Sequence, residues 1–545
     1  MCGFLAEMGT RLSDQEIFDV AERMQHRGPD QTIRLSLEGA RFVFHRLAIM
    51  DLSDSGQQPF RALGVTAVCN GEIYNDLALR DRMKSSYQYR SGSDCESLLP
   101  LYAEYGIEGM ISSLDGEFAF VLYDEERHTL FAGRDPMGIR PLFYCEPPTG
   151  GIIFASEAKA LHDVGGEIIP FPPGHFYDGR EGKMVSYMKL WETAELITPS
   201  LDELSIQIAE RLTHAVEKRL RSDVPVGFLL SGGLDSSLVC AIAARISDRP
   251  ITTFSVGIED GPIDTYYARE VADFLGTDHH EYLFSQQEVL DHLSELIYHL
   301  ETWDITTIRA SMGMSLLCKY IRRETSIKVV LTGEVSDEIF GYKYTDYAPS
   351  PEAFQEEAAK RVRELYLYDV LRADRCISMH GLEARVPFSD PDFVSYVMSI
   401  DPQLKMNSYG IGKYLLRRAF EGGDYLPKSI LYREKAAFSD AVGHSMVDLL
   451  KALAEQRYRD EDLEREVQKY DHGRPFTKES LLYREIFESH FPGRAKLIPD
   501  FWMPNRAWEN CDVQDPSARV LPNYGASGAA PSESHQKSYT QTLPA

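Results

Sequence analysis

The 545-residue chain has no apolar run near the ~20 residues a membrane-spanning helix needs, and its start lacks the basic and apolar regions of a secretion signal. Both absences set the expectation of a cytoplasmic protein without a membrane partner. The eight cysteines are scattered, with no C-x-x-C pair and no ligand-like spacing, so neither a disulfide framework nor a structural metal site is expected. Positive charge is scarce. With 57 Lys and Arg against 84 Asp and Glu, the net charge of −27 argues against a nucleic-acid partner, because a phosphate backbone needs a basic footprint. The Walker pattern G-x-x-x-x-G-K-[ST] and internal repeats are also absent. At 43% hydrophobic residues the composition is that of a globular protein, and the length predicts roughly two to four domains.

Two short runs stand out. The chain opens Met1-Cys2-Gly3-Phe4. Removal of the initiator methionine makes Cys2 the first residue, so that a thiol nucleophile and an α-amine base share one residue. Much later, Ser231-Gly232-Gly233-Leu234-Asp235-Ser236-Ser237 forms a glycine- and hydroxyl-rich loop between an apolar run and a helical pattern, a form suited to wrapping phosphate.

Residues 2–190 read as an α+β unit of packed sheets. Strand-like runs fall at 40–49, 65–69, 117–123, 129–132 and 151–155, and helical patterns at 14–25 and 94–105. From residue 201 strands alternate with helices: a helix over 201–220, strands at 226–230, 251–256 and 328–331, and helices at 238–246 and 266–275. This predicts a doubly wound parallel sheet. The chain turns almost wholly helical after about residue 351, so a second domain is expected over 201–510. The Ser-, Gly-, Pro- and Ala-rich stretch 511–545 is expected to be a disordered tail.

In the first unit His26-Arg27-Gly28-Pro29-Asp30, His45-Arg46-Leu47, Asn70-Gly71-Glu72-Ile73-Tyr74-Asn75, Ser91-Gly92-Ser93-Asp94-Cys95-Glu96 and Gly133-Arg134-Asp135 follow in order. This series resembles the class II, N-terminal-nucleophile glutamine amidotransferases. The chemistry fits a free amino acid. The Arg46 guanidinium suits its α-carboxylate, and the Asp94 carboxylate suits its α-ammonium. Asn70 and the Gly71 N–H suit an oxyanion during thiolate attack on a side-chain amide. The resemblance implies a glutamine site of Arg46, Leu47, Ala48, Ile49, Met50, Asn70, Gly71, Glu72 and Asp94 around Cys2, with Cys69 and Cys95 only filling space.

The Ser231–Ser237 loop is similar to the pyrophosphate loop of ATP pyrophosphatases. With 301–311, Leu331-Thr332-Gly333-Glu334-Val335-Ser336-Asp337-Glu338, 381–388, 432–440 and 482–487, it resembles the glutamine-hydrolysing asparagine synthetase family. That resemblance implies that Ser231, Gly232, Gly233, Leu234, Ser236 and Ser237 hold pyrophosphate, and that Leu229, Val256, Thr332 and Gly333 line the adenosine site. It implies Thr306 and Arg309 at the acyl-adenylate, Glu334 as acid–base group and Lys435 balancing phosphate charge. Asp235 is the expected magnesium ligand, with Asp337 and Asp369 as further candidates.

Three features depart from the family. Val335 stands where glycine is common, and only Gly341 precedes Tyr342, one residue short of the usual turn; Ala436 and Ala437 also replace polar residues. A β-branched residue is strained wherever positive φ is required. The expected activity is therefore ATP-dependent, glutamine- or ammonia-using amidation, with aspartate the default acceptor through a β-aspartyl-AMP. Another carboxylate acceptor is the alternative, and an inactive regulatory homologue a remote one. The expected partners are these small molecules, with a homodimer as the allowed assembly.

Overall fold

The computed structural model describes every residue except 194, 260–261, 437–443 and 525–545. The first unit begins with β1 (Gly3–Met8), β2 (Gln31–Ser36), β3 (Ala40–Arg46), β4 (Phe60–Ala62) and β5 (Val65–Ile73). It continues with β6 (Gly116–Asp124), β7 (Thr129–Arg134), β8 (Phe143–Cys145), β9 (Ile152–Ala155), β10 (Ile169–Pro170), β11 (His175–Asp178) and β12 (Lys183–Ser186). They build two six-stranded antiparallel sheets, ordered β10-β8-β9-β1-β3-β2 and β12-β11-β7-β6-β5-β4. Phe4, Phe42, Phe44 and Phe154 of the first sheet meet Val68, Val121 and Tyr123 of the second in one buried layer. Helix Asp14–Glu22 covers the outer face of the first sheet with Ile17 and Val20, against Leu5 and Val43. Helix Leu98–Ile111 covers the second with Leu98, Leu99 and Met110, against Phe118 and Phe120. The expected α+β unit is thus a four-layer sandwich.

The second unit opens on helix Leu201–Arg219, whose start is fixed by a reciprocal cap between Ser200 and Glu203. β13 (Val226–Leu229), β14 (Thr252–Ile258), β15 (Asp278–Phe284), β16 (Val329–Leu331) and β17 (Glu383–Arg385) form a parallel sheet ordered β15-β14-β13-β16-β17. The order reverses between β13 and β16. That switch point leaves a crevice at the carboxyl ends of those two strands, where Ser231 and Thr332 follow.

In the parallel sheet two strands were not anticipated. β15 reads Asp-His-His-Glu-Tyr-Leu-Phe and hides behind its charges, and β17 is three residues long inside the helical region. The expected tail is also corrected in part. Trp508, Cys511, Leu521 and Tyr524 are buried, and Trp508, Cys511 and Leu521 join Tyr344 and Phe354 in a small core, so residues 511–524 are folded. Residues 525–545 lie outside the described residues. No helix among the described residues is long and apolar enough to cross a membrane.

Candidate functional site

Cys2 sits at the start of β1 with its Sγ 3.4 Å from the Leu47 N–H. The Met1 amine is buried, donates to the Leu382 carbonyl at 2.9 Å, and is lowered to about 5 by burial. Burial likewise pushes the Cys2 thiol up to about 11. With Met1 in place the Cys2 nitrogen is a peptide amide, so the base that the nucleophile needs appears only when Met1 is cleaved.

The candidate glutamine pocket follows from strand geometry. β5 runs on to Ile73, which puts Asn70-Gly71-Glu72 inside a strand, with the side chains of Asn70 and Glu72 on one face. Both polar atoms of the Asn70 side chain are buried without a hydrogen-bond partner, a costly state in which Nδ2 is a donor that an oxyanion would satisfy. Gly71 has φ +148°, and a Cβ there would lie 2.0 Å from the Glu117 carbonyl. Its glycine is therefore required first by the neighbouring strand β6, a different reason from close approach to substrate. Arg46 donates to the Gln31 side chain at 3.1 Å, to the Ser53 carbonyl at 3.0 Å and to the Asp51 carbonyl. Neutral oxygens brace it and no carboxylate neutralises it among the described residues, which leaves its charge for a substrate carboxylate. Asp94 accepts the Ile73 N–H at 2.6 Å, and burial raises its carboxyl. Ala48 and Asp30 are joined by a hydrogen bond of 2.8 Å; Leu47 and Ile49 are buried beside them.

The second site is a cavity of about 270 Å³ at the switch point. Leu229, Ser231, Gly233, Leu234, Asp235, Ser236, Val256, Thr332 and Gly333 line it, as do Thr306, Arg309, Glu334, Asp337, Asp369 and Lys435. Gly232 and Ser237, also expected at the phosphates, are not among the residues that line it. Gly232 has φ +68° and faces Tyr267 and Ala268, where a Cβ would meet backbone at 2.5 Å. The Ser237 hydroxyl is buried and unpartnered, and its N–H closes the helix start on the Gly233 carbonyl at 3.1 Å. Ser231 and Ser236 share a hydroxyl contact of 2.9 Å, which shapes the loop.

At the cavity floor Asp235 and Asp337 are drawn together by two lysines. Lys413 Nζ lies 2.8 Å from Asp235 and 2.6 Å from Asp337; Lys435 Nζ lies 3.5 Å and 2.8 Å from the same pair. Burial raises the Asp235 carboxyl, but the lysines outweigh it and hold it well below the usual range. Lys413 was missed in the sequence. Its only signal is the short glycine-rich run Gly410-Ile411-Gly412 before it, and its own φ of +58° is unusual for lysine. Arg372 was missed as well; it bridges Glu334 and Asp369 at 3.3 Å each. Asp369 therefore faces an arginine, whereas Asp235 and Asp337 are the carboxylates that stand together. Buried hydroxyls of Thr306 and Thr332 and one Glu334 oxygen are without partners.

Arg309 is not free. Glu479 grips it from two nitrogens, one at 2.8 Å, and Asp515 of the folded C-terminal segment takes Nη1 at 2.7 Å. Val335 has φ +81° and is 1% exposed, the strained conformation expected for it. Residues 437–440 of the lysine motif lie outside the described residues.

The two sites define a glutamine amidotransferase joined to a nucleotide-using synthetase. The family model "Glutamine amidotransferase domain" matches residues 1–168, and "Asparagine synthase" matches 207–352 and 346–518. The chain is 41% identical to the asparagine synthetase [glutamine-hydrolyzing] of Mus musculus, over 97% of this chain and all of that one. It is 40% identical to asparagine synthetase [glutamine-hydrolyzing] 2 of Arabidopsis thaliana, over 99% and 96% of the two chains. Among solved structures, the glutamine phosphoribosylpyrophosphate amidotransferase from B. subtilis is similar over 52% of this chain and 81% of that one, at 17% identity and a TM-score of 0.30. The chain belongs to the glutamine-hydrolysing asparagine synthetase family.

Proposed function

We propose that the chain makes asparagine from aspartate, ATP and glutamine, with the two sites working in sequence. Once Met1 is removed, the Cys2 α-amine takes the thiol proton and the thiolate attacks the glutamine side-chain amide. Asn70 and the Gly71 N–H hold the oxyanion, Arg46 the substrate carboxylate and Asp94 its ammonium. Ammonia leaves for the interior, and water releases glutamate from the Cys2 thioester. At the second site the acceptor carboxylate attacks the α-phosphorus of ATP, pyrophosphate leaves, and ammonia displaces AMP from the acyl-adenylate. Ser231, Ser236, Lys413 and Lys435 balance the departing charge, and Glu334 manages the proton at the acyl centre.

The observation that carries this reading is the Asp235–Lys413–Asp337–Lys435 cluster at the floor of the cavity, a charge frame for pyrophosphate. Two adjacent carboxylates also suit a hard divalent cation, so Asp235 and Asp337 would hold Mg²⁺ with the phosphates, where it would neutralise charge on the leaving group. Asp369, which stands apart from that pair beside Arg372, fits that role less well. We place the enzyme in the cytoplasm and keep a homodimer as the allowed assembly. The test is aspartate-dependent formation of AMP and pyrophosphate by purified protein supplied with ammonia. Release of ADP and phosphate, or turnover indifferent to aspartate, would overturn the reading.

A further inference from the structure

The glutamine pocket of the first domain contains a contact from the second. Arg385 ends β17, the edge strand of the parallel sheet, and is fully buried. Its backbone carbonyl accepts the Thr332 N–H at 3.0 Å, which ties it to the loop of the synthetase cavity. Its side chain points the other way. Nη1 donates to the Arg219 and Arg221 carbonyls at 2.9 and 2.5 Å, and Nε pairs with Glu383 at 2.9 Å. Nη2 makes no hydrogen bond and lies 3.2 Å from Oε1 of Glu72 as an ion pair, on the β5 face that also carries the unpartnered Asn70 amide.

From this geometry we infer that Arg385 is a positioning residue for glutamine, holding Glu72 as an oriented carboxylate beside Asp94 so that the substrate ammonium meets two anions. The inference rests on the glutamine site proposed above. Two buried carboxyls side by side resist ionising together. Burial and then Asp94 push the Glu72 carboxyl well above the usual carboxylate range, and Arg385 opposes them without cancelling them, so that the substrate ammonium must supply the rest; Glu383 and Arg140 are the other charged groups that face it. A guanidinium fixed at three other points can hold the Glu72 carboxylate in one place, which a flexible lysine does less well. A purely structural role would give Arg385 no effect on how glutamine binding depends on pH.

The experiment uses the full-length processed enzyme and reads glutamine hydrolysis and ammonia-driven synthesis separately between pH 6 and 9. Arg385→Met should raise the glutamine KM tenfold or more at neutral pH, with kcat changed less. The deficit should shrink as pH rises and Glu72 ionises unaided. Arg385→Lys should recover part of it. Ammonia-driven synthesis should stay within twofold, because the Arg385 backbone bond to Thr332 survives substitution. An unchanged glutamine KM, a deficit independent of pH, or equal loss with both nitrogen sources would overturn the inference. Should Arg385→Met fail to fold, Glu72→Gln must show the same rise in KM without pH recovery, and a normal KM there overturns it equally. Asp94→Asn separates the two claims: a normal glutamine KM in that variant would sink the glutamine site itself.

Discussion

Arg309 is expected at the acyl-adenylate, yet the chain already supplies it with carboxylates. Glu479 takes Nε and Nη2, and Asp515 takes Nη1 at 2.7 Å. Asp515 is held low by Arg309 and Lys451 despite its own burial, so it stays ionised throughout the working pH range. For an acceptor carboxylate to reach Nη1, that contact must part. A charge-assisted hydrogen bond contributes about 1.5–3 kcal/mol, and the 18% exposure of the Asp515 side chain argues for the lower end. Asp515→Asn keeps the shape and removes the charge. It should therefore lower the aspartate KM by about tenfold, the equivalent of about 1.4 kcal/mol, while thermal stability falls by about 1–2 kcal/mol as Arg309 and Lys451 lose a partner. The assay is aspartate-dependent pyrophosphate release with ammonia as nitrogen source, which leaves the Cys2 site out of the measurement. An aspartate KM that is unchanged or higher in the folded variant would refute the reasoning: Arg309 would then stay bound to the chain through turnover, with no part in holding the acceptor.

Cys2→Ala should abolish glutamine-driven synthesis and retain synthesis from ammonium salts; equal loss of both in a folded protein would sink the two-site scheme. Asp235→Asn should abolish product formation while glutamine hydrolysis persists, since it removes the anion between Lys413 and Lys435; product at the wild-type rate would contradict the charge frame. Val335→Gly should cost less than about 1 kcal/mol by thermal melting, because relief of about 1–3 kcal/mol of backbone strain offsets about 2–3 kcal/mol of lost burial. A loss of 3 kcal/mol or more would mean that Val335 is not strained. Burial lowers Lys405 to about 7. Its folded form thus binds fewer protons than the unfolded chain between about pH 7 and 10.5, and stability gained from this group rises with pH across that window. Wild type should gain on Lys405→Met between pH 7 and 10 in paired denaturant melts, and parallel curves would show that the lysine is not buried as described.

Much of the candidate site is legible in the sequence because its residues sit in contiguous runs with an obvious chemistry. Cys2, Arg46, Asn70-Gly71 and Asp94 each announce a role by type, and the Ser231–Ser237 loop follows an apolar strand. What stayed hidden acts at a distance in sequence. Lys413 reaches Asp235 across 178 residues, and Asp515 reaches Arg309 across 206. No local pattern marks either contact. β17 was invisible for a related reason: its Glu-Ala-Arg has no strand signature, and only pairing with β16 makes it one. Low-complexity composition also misled over residues 511–524. Their apolar residues are few, but Cys511, Leu521 and Tyr524, next to the buried Trp508, are enough to anchor them.

The seam between the domains carries unusually many buried charges. Arg27 holds Asp374 through two nitrogens at 2.8 and 3.0 Å and Glu157 at 2.8 Å, Arg140 meets Glu117 at 3.1 Å, and Arg219 joins Glu117 to Asp390 at 2.8 and 3.0 Å. Desolvation cancels most of what such pairs contribute to stability, so a greasy interface of the same area would hold the domains at least as firmly. An apolar seam, however, tolerates sliding, whereas Arg27–Asp374 and Arg219–Glu117, the two of these pairs that cross between the domains, are satisfied in one register only. Met1 lies inside this seam, its sulfur against Arg27 and Arg140 and its amine on Leu382. Cleaving it would free the Cys2 amine and at the same stroke vacate space between the two domains, on the side of Cys2 that faces the synthetase. One processing step would then both arm the nucleophile and clear the ground between the site that releases ammonia and the site that consumes it.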